Sequence, residues 1–300
     1  MNAMKFAIPL FVALAYGPAQ GLAQSILGSD AASFAVLGAT TVTNVPTSTI
    51  VGNVGVSPGT SITGFNSVSG IATADTQVTG GLVHSNTAIA ASAQGQLTTA
   101  RGTLSSLGAG ISLGADLAGL TLTPGIYTVA AGTTNLSGTL TLDGLGNANA
   151  FWLFQMPSTL ITSSGSVVNV INAGTGSGLF WNVGSSATLG TTTSFEGNIL
   201  ALASISLNTG ATIGCGRALA DVGAVTLQQN TISIGCVGTG EEGSNGLSGG
   251  GLVVVTPPGG GPPVVAAIPE PEIYAMMAVG LGFLGFLGRR QKKLQASAAG

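Results

Sequence analysis

The sequence predicts a mostly β fold of short strands stacked in regular order, with one long α-helix alongside, and three observations carry that prediction. Only 6% of the residues are charged, while 49 are glycine and 45% are hydrophobic. A globular chain carries about a quarter charged residues, and a disordered one combines high charge with low hydrophobicity. Neither profile fits, whereas short strands joined by glycine turns do. Segments also recur at a spacing of about 20 residues, the mark of a solenoid. Finally, a single stretch has helical spacing.

That stretch places Ile89, Ala93, Leu97, Ala100, Leu104 and Leu107 at intervals of three and four, so one face is apolar. Gly80 and Gly81 precede it, and Gly108 and Gly110 stop it. From about Leu120 to Ile234 the pattern is of short strands. The stretch 197–201 matches 216–220, 19 positions on, and 189–195 aligns with 207–213, 18 positions on. Stacked coils would then align Leu189, Leu207 and Leu227 in one interior ladder, and Phe195, Ile213 and Ile232 in another, about 4.8 Å apart. Trp152 and Trp181 follow apolar strand residues and belong to the same core.

Cys215 and Cys236 lie 21 positions apart, about one coil. In an exported chain that spacing favours a disulfide over two buried thiols, with a stabilisation of about 3 kcal/mol. Two cysteines and one histidine, His84, do not make a zinc site. His84 precedes the helix among polar residues and reads as a surface residue.

The ends read as targeting segments. Residues 1–23 form a signal peptide: Lys5 supplies the positive start, Phe6 to Ala15 the apolar run, and Gly21-Leu22-Ala23 the small residues before a mature start at Gln24. The folded domain spans 24–238. Residues 239–268 form a linker rich in Gly and Pro, flexible to semi-extended. Then come Pro269-Glu270-Pro271, an apolar run from Ile273 to Leu287, and Arg289-Arg290-Gln291-Lys292-Lys293, with 294–300 as a short tail. This arrangement resembles the PEP-CTERM sorting signal of Gram-negative bacteria. The resemblance implies recognition by an exosortase-type sorting protease and a cell-surface or secreted destination. The run from Ile273 to Leu287 is short for a full span, so it would anchor in the inner membrane transiently; a plain C-terminal anchor is the alternative. Gly280-Leu281-Gly282-Phe283-Leu284-Gly285 lies inside that run with no strand before it, so it is not a nucleotide loop.

The body resembles a known family. Phe34-Ala35-Val36-Leu37-Gly38, Val54-Gly55-Val56-Ser57-Pro58-Gly59-Thr60, Leu122-Thr123-Pro124-Gly125-Ile126-Tyr127 and Phe151-Trp152-Leu153-Phe154-Gln155 are similar to segments of bacterial and fungal ice-binding proteins. The likeness continues from Phe180 to Ile232. It implies a right-handed, discontinuous β-helix of roughly triangular section with one long helix packed alongside, monomeric and without cofactor or metal. It also implies adsorption to ice by one flat face, often with a T-A/G-x-T/N motif. Thr209-Gly210-Ala211-Thr212 fits that motif. One coil earlier stand Thr191, Thr193 and Ser194, and before them Thr162 and Ser164. The expected face is therefore Thr162, Ser164, Thr191, Thr193, Thr209 and Thr212, interrupted one coil later by Gln228 and Gln229.

Other functions fit less well. Nucleic-acid binding needs clustered Lys and Arg, and between the targeting segments only Arg101 and Arg217 remain. A glycosidase needs two carboxyls flanking one bond, but Asp116, Asp143, Glu196 and Asp221 are dispersed. The chain reads as no enzyme. The alternative to ice binding is a non-catalytic structural or adhesive protein of the extracellular matrix.

Overall fold

The computed structural model describes residues 26–235, together with the backbone of two short strands, Val253–Val255 and Val264–Ala266. The signal peptide, Cys236 and the sorting segment lie outside the described residues. Within the expected linker, those two valine-rich segments pair as antiparallel strands, as β-branched runs favour.

The described body is mostly β. Most passes of the chain give one strand to each of three parallel ladders. The first contains, in spatial order, Val83–Ser85, Asn53–Val56, Phe34–Gly38, Thr212–Ala220, Ser194–Ala201, Gly178–Val183, Phe151–Met156, Gly125–Val129 and Ile111–Leu113. The second runs from Thr121–Leu122 through Thr139–Asp143, Val167–Ile171, the starts of the two long strands, Thr231–Ser233 and Thr49–Val51 to Val78–Thr79. The third is Leu160–Ile161, Ala187–Leu189, Ile205–Leu207, Val225–Gln228, Thr41–Val45 and Ser61–Thr63. The long strands Ser194–Ala201 and Thr212–Ala220 serve two ladders because they turn at a bulge after Phe195, where an extra residue bends a strand.

The order of the passes is not the order of the chain. After Ser85 the chain leaves the stack through a helix and restarts at the far end with Ile111–Leu113. It then coils back until Thr212–Ala220 docks on Phe34–Gly38, with Val36 opposite Ala218. Two helices are described: α1, Ser29–Ser33, a single turn, and α2, Ala88–Ser106, of 19 residues. At 1.5 Å per residue α2 is about 28 Å long, enough to cover most of the first ladder. Thr87 caps it, its hydroxyl accepting the Ala90 N–H, and Gly108 ends it at φ 88°. Ala90, Ala93, Leu97, Ala100 and Leu104 are fully buried against Phe34, Leu37, Leu153, Phe180, Leu200 and Leu219. Asp221 pins the helix from the sheet side, accepting from Arg101 at 2.8 Å and from Thr98 at 2.6 Å.

Inside the stack, like sits on like. Leu189 pairs with Leu207, Phe195 with Ile213, and Ile213 with Ile232, all fully buried. Tyr127, Phe154, Trp181 and Phe195 form an aromatic column with centroid spacings of 5.6, 4.1 and 5.0 Å. The Trp181 indole N–H donates to the Glu196 carbonyl at 3.0 Å. Both apolar clusters of the described residues lie within residues 26–234.

His84 departs from expectation. It is 6% exposed, its ring edge-on to Phe34 at 5.4 Å and its Nδ1 3.1 Å from the Thr87 hydroxyl. Of its polar neighbours in sequence only Thr87 caps the helix, while Ser85 donates to Thr60 O and Asn86 accepts from the Ser57 hydroxyl, and Phe34 covers the imidazole. Burial pushes its pKa below the usual 6.5. The unfolded chain then takes up a proton near that value which the folded chain refuses, so this contribution to stability is lost as pH falls below about 6.5. The melting temperature is expected to drop between pH 7.5 and pH 5.5, and His84→Gln to flatten that drop. An equal drop in the variant would contradict it.

Candidate functional site

The corner between the third and second ladders repeats a left-handed residue in each pass: Gly165, Thr192, Gly210 and Gln229, with φ of 71°, 56°, 70° and 55°. Backbone bonds tie the corners together. The N–H of Gly165 donates to Thr191 O, that of Thr192 to Thr209 O, that of Gly210 to Gln228 O, and that of Gln229 to Val45 O, at 2.9 to 3.1 Å. The residue before each left-handed position therefore forms an outward column. In it Ser164, Thr191 and Thr209 are exposed, so three of the expected six share one straight edge.

Gln228 continues this column, and its carboxamide Oε1 accepts from the Thr209 hydroxyl at 3.1 Å. The long side chain thus lies against the threonine of the neighbouring pass instead of standing clear of it. Gln229 is exposed beside it.

Thr212 stands one step on, at the start of the second ladder. Its register partners are Ser194 on one side and Thr231 on the other; Thr231 pairs with Thr49, Ser194 with Val167, and Val167 with Thr139. Six passes thus place a Thr, a Ser or the near-isosteric Val at one position. Parallel strands repeat about every 4.8 Å, and Thr and Val are stiff at χ1, so the column is regular and rigid. Sequence reasoning missed Thr139, Thr231 and Thr49; the first and last are far from the recognised motif, and Thr49 belongs to a pass that docks out of chain order.

Thr162 and Thr193, also expected on this face, point inward. They are 4% and 0% exposed, and their hydroxyls meet at 2.9 Å. Thr162 also accepts the Gly190 N–H at 2.9 Å, and Thr193 donates to Ser163 O at 3.1 Å. They satisfy corner backbone groups that water does not reach. In neighbouring passes the same task falls to Asn230, whose amide donates to the carbonyls of Asn208 and Ala211. The signal was legible: aligned on the repeat, Thr193 coincides with Ala211 and Asn230, not with a second threonine.

Thr192 and Gln229 are the non-glycine residues at these four corners, and of the two only Thr192 is β-branched. A β-branched residue in the left-handed region is strained by about 1–2 kcal/mol, and the corners before and after it use glycine. Thr192→Gly is expected to stabilise the fold by about 1 kcal/mol, raising Tm by a few degrees. Scanning calorimetry checks this; an unchanged or lower Tm would show that the Thr192 hydroxyl, 2.7 Å from Thr191 O, repays the strain.

Two carboxylates belong to strands of the second ladder: Glu196, half-buried two residues after Ser194, and Asp143, the last residue of Thr139–Asp143. Asp143 accepts from the Asn172 amide and the Leu145 N–H, each at 2.9 Å, which holds its carboxyl below the usual range. Arg217 is buried under α1, donating to Ala32 O and to Asn198, and burial lowers its pKa to about 10. Cys215 is buried at 1% exposure on Thr212–Ala220.

A mostly β framework of stacked parallel strands, carrying an exposed and uncharged row of Thr and Ser in register, is the class that fold and site define. Residues 36–233 match the Ice-binding-like family, and the chain belongs to that family. Residues 267–293 match the PEP-CTERM protein-sorting motif. An ice-binding protein of Nostoc sp. (strain HG1) is 47% identical over 213 residues, 71% of this chain and 75% of that protein. Among solved structures, an ice-binding protein from the Antarctic ascomycete Antarctomyces psychrotrophicus superposes with a TM-score of 0.61 at 37% identity, covering 69% of this chain and 96% of that one. One from an Antarctic biological consortium gives 0.59 at 41% identity, covering 69% and 89%.

Proposed function

We propose that this protein adsorbs to ice through its second ladder and the adjoining corner, and so inhibits ice growth or recrystallisation. The observation that carries the reading is the column Thr139, Ser194, Thr212, Thr231 and Thr49, extended sideways by Thr191 and Thr209. Ice presents uncharged oxygens on a fixed lattice. A threonine hydroxyl holds an ordered water nearly as well as a direct hydrogen bond would, and its methyl disfavours competing water positions. Because the strands are locked between two cores, the ordering cost is met during folding and not at the ice surface. Adsorption needs no catalytic group, cofactor or metal.

The framework reads as a right-handed, discontinuous β-helix of roughly triangular section, and the protein as a monomer. The reading includes a disulfide between Cys215 and Cys236, which the pairing of Ile213 with Ile232 supports, since in the sequence the two cysteines follow these residues by two and four positions. The sorting motif supports export through the inner membrane of a Gram-negative cell and handling by an exosortase-type protease. Transient anchoring by the apolar run from Ile273 to Leu287 goes with that reading. Among the described residues no helix is long and apolar enough to cross a membrane.

Recrystallisation inhibition by the segment 24–238 tests the function. Ice grains in its presence are expected to stay small at concentrations where a soluble control protein lets them coarsen. Coarsening at the control rate would leave an adhesive or structural matrix protein as the better account.

A further inference from the structure

We propose that the polar end of the first ladder, under the C-terminus of α2, is a binding site for a small neutral polyol, of a size between glycerol and a hexitol. The site belongs to a different ladder from the hydroxyl column and is independent of adsorption to ice. One outward row of the first ladder runs in register from Leu37 through Leu219, Leu200, Asn182 and Gln155 to Thr128. Its first three members are leucines packed in one cluster with α2. The next three are polar, although Asn182 is only 6% exposed. Polar groups taken out of water destabilise the fold unless each finds a partner, so packing alone does not favour this change from leucine to amide.

The amides are fixed in direction. Gln155 Nε2 donates to the Leu104 and Gly108 carbonyls at the end of α2, at 2.6 and 3.3 Å. Its Oε1 is left to accept from Asn182 Nδ2 at 2.9 Å. Asn182 Nδ2 also donates to the Ser105 hydroxyl at 3.0 Å. Asn182 Oδ1 ends this chain of bonds and has no partner among the described residues. Arg101 ends another. Its Nη1 meets Asp221 at 2.8 Å and its Nη2 donates to Val183 O at 3.2 Å, while its Nε has no partner among the described residues. Both side chains line one cavity of about 360 Å³, a volume within the range of small-molecule sites.

The chemistry selects the ligand. Among the described residues no carboxylate lines the cavity, so a cation has no anchor. Arg101 is neutralised by Asp221, and the negative end of the α2 dipole lies here, which disfavours an anion. A neutral ligand must accept from Arg101 Nε and donate to Asn182 Oδ1, and a hydroxyl does both. No aromatic ring lines the cavity to stack on a sugar ring, which favours an open-chain polyol.

The test is saturation-transfer NMR on the purified full-length chain, titrated with glycerol and with sorbitol. The polyol signal is expected to level off with concentration, at millimolar half-saturation. Asn182→Leu, which extends the leucine row by one pass, should raise the half-saturation by at least about tenfold, the loss of one hydrogen bond to a buried group. Ala109→Phe, exposed on the rim of the cavity, should do the same by filling it. This second variant guards against a folding fault in Asn182→Leu, and circular dichroism checks both. A signal that rises linearly without levelling off, as a bulk cosolvent gives, would overturn the proposal. Half-saturation unchanged in both variants would overturn it too, by moving the polyol elsewhere. Saturation by urea with none by either polyol would overturn the polyol and assign the cavity to a neutral amide.

Discussion

Thr212→Tyr is expected to raise the concentration needed for recrystallisation inhibition by at least about tenfold, which corresponds to about 1.4 kcal/mol of lost adsorption. Thr212 sits mid-column, half-exposed, with Ser194 and Thr231 as its neighbours in register. A phenol there stands above the plane of the hydroxyls and holds several passes away from a flat crystal, so one substitution disables more than one contact. Thr193→Val makes the contrast. Thr193 is fully buried and bonded to Thr162 and Ser163, so its loss leaves buried polar groups unsatisfied. The cost falls on stability, about 1–3 kcal/mol, and adsorption of the folded protein should be unchanged. Equal effects of the two substitutions on ice activity would contradict the placement of the face.

Trp181→Ala carries the largest expected effect on stability, about 3–5 kcal/mol. The indole is fully buried, stacked on Phe154 at 4.1 Å and tilted against Phe195 at 5.0 Å, with its N–H bonded to Glu196 O. Interior aromatics of adjacent passes hold each other in place, and removing the middle one opens a cavity that two strands on each side would have to collapse into. Since domains of this size are stable by about 5–15 kcal/mol in total, Tm should fall by about 10 °C or more. Phe195 lies beside Ser194, so the loss also loosens the backbone under the hydroxyl column. Urea denaturation reads the change directly; a loss below about 1 kcal/mol would mean that the aromatic column does not act as a unit.

Much of the architecture follows from local repetition. The recurrence of 197–201 at 216–220 gives the register found, with Gly197 opposite Gly216 and Ala201 opposite Ala220. The leucine and aromatic–isoleucine ladders stack as their spacing implied, and Trp152 and Trp181 are interior. The helix follows because its apolar stripe and its stop glycine are local signals. What periodicity could not convey is docking between distant segments. The contact of Phe34–Gly38 with Thr212–Ala220 joins passes that no repeat relates, and it brings Thr49 into the hydroxyl column. His84 was misread for a similar reason, since the Phe34 that covers it comes from an earlier pass.

The candidate site was half legible. Ser164, Thr191, Thr209 and Thr212 are outward because the repeat preserves strand parity. Thr193 was drawn in because a run of three threonines hides which of them follows the left-handed corner, and Thr162 because only the pairing of Ile161 with Thr188 sets it in the interior column of Leu189. The corner reverses parity, so Thr191 faces out and Thr193 faces in.

The central claim is that a registered, uncharged hydroxyl face binds ice itself. Its most direct measurement is the fraction of the segment 24–238 captured by a slowly growing ice hemisphere, beside a soluble protein of similar size. Adsorption predicts strong enrichment in the ice fraction; exclusion to the same extent as the control would contradict the account.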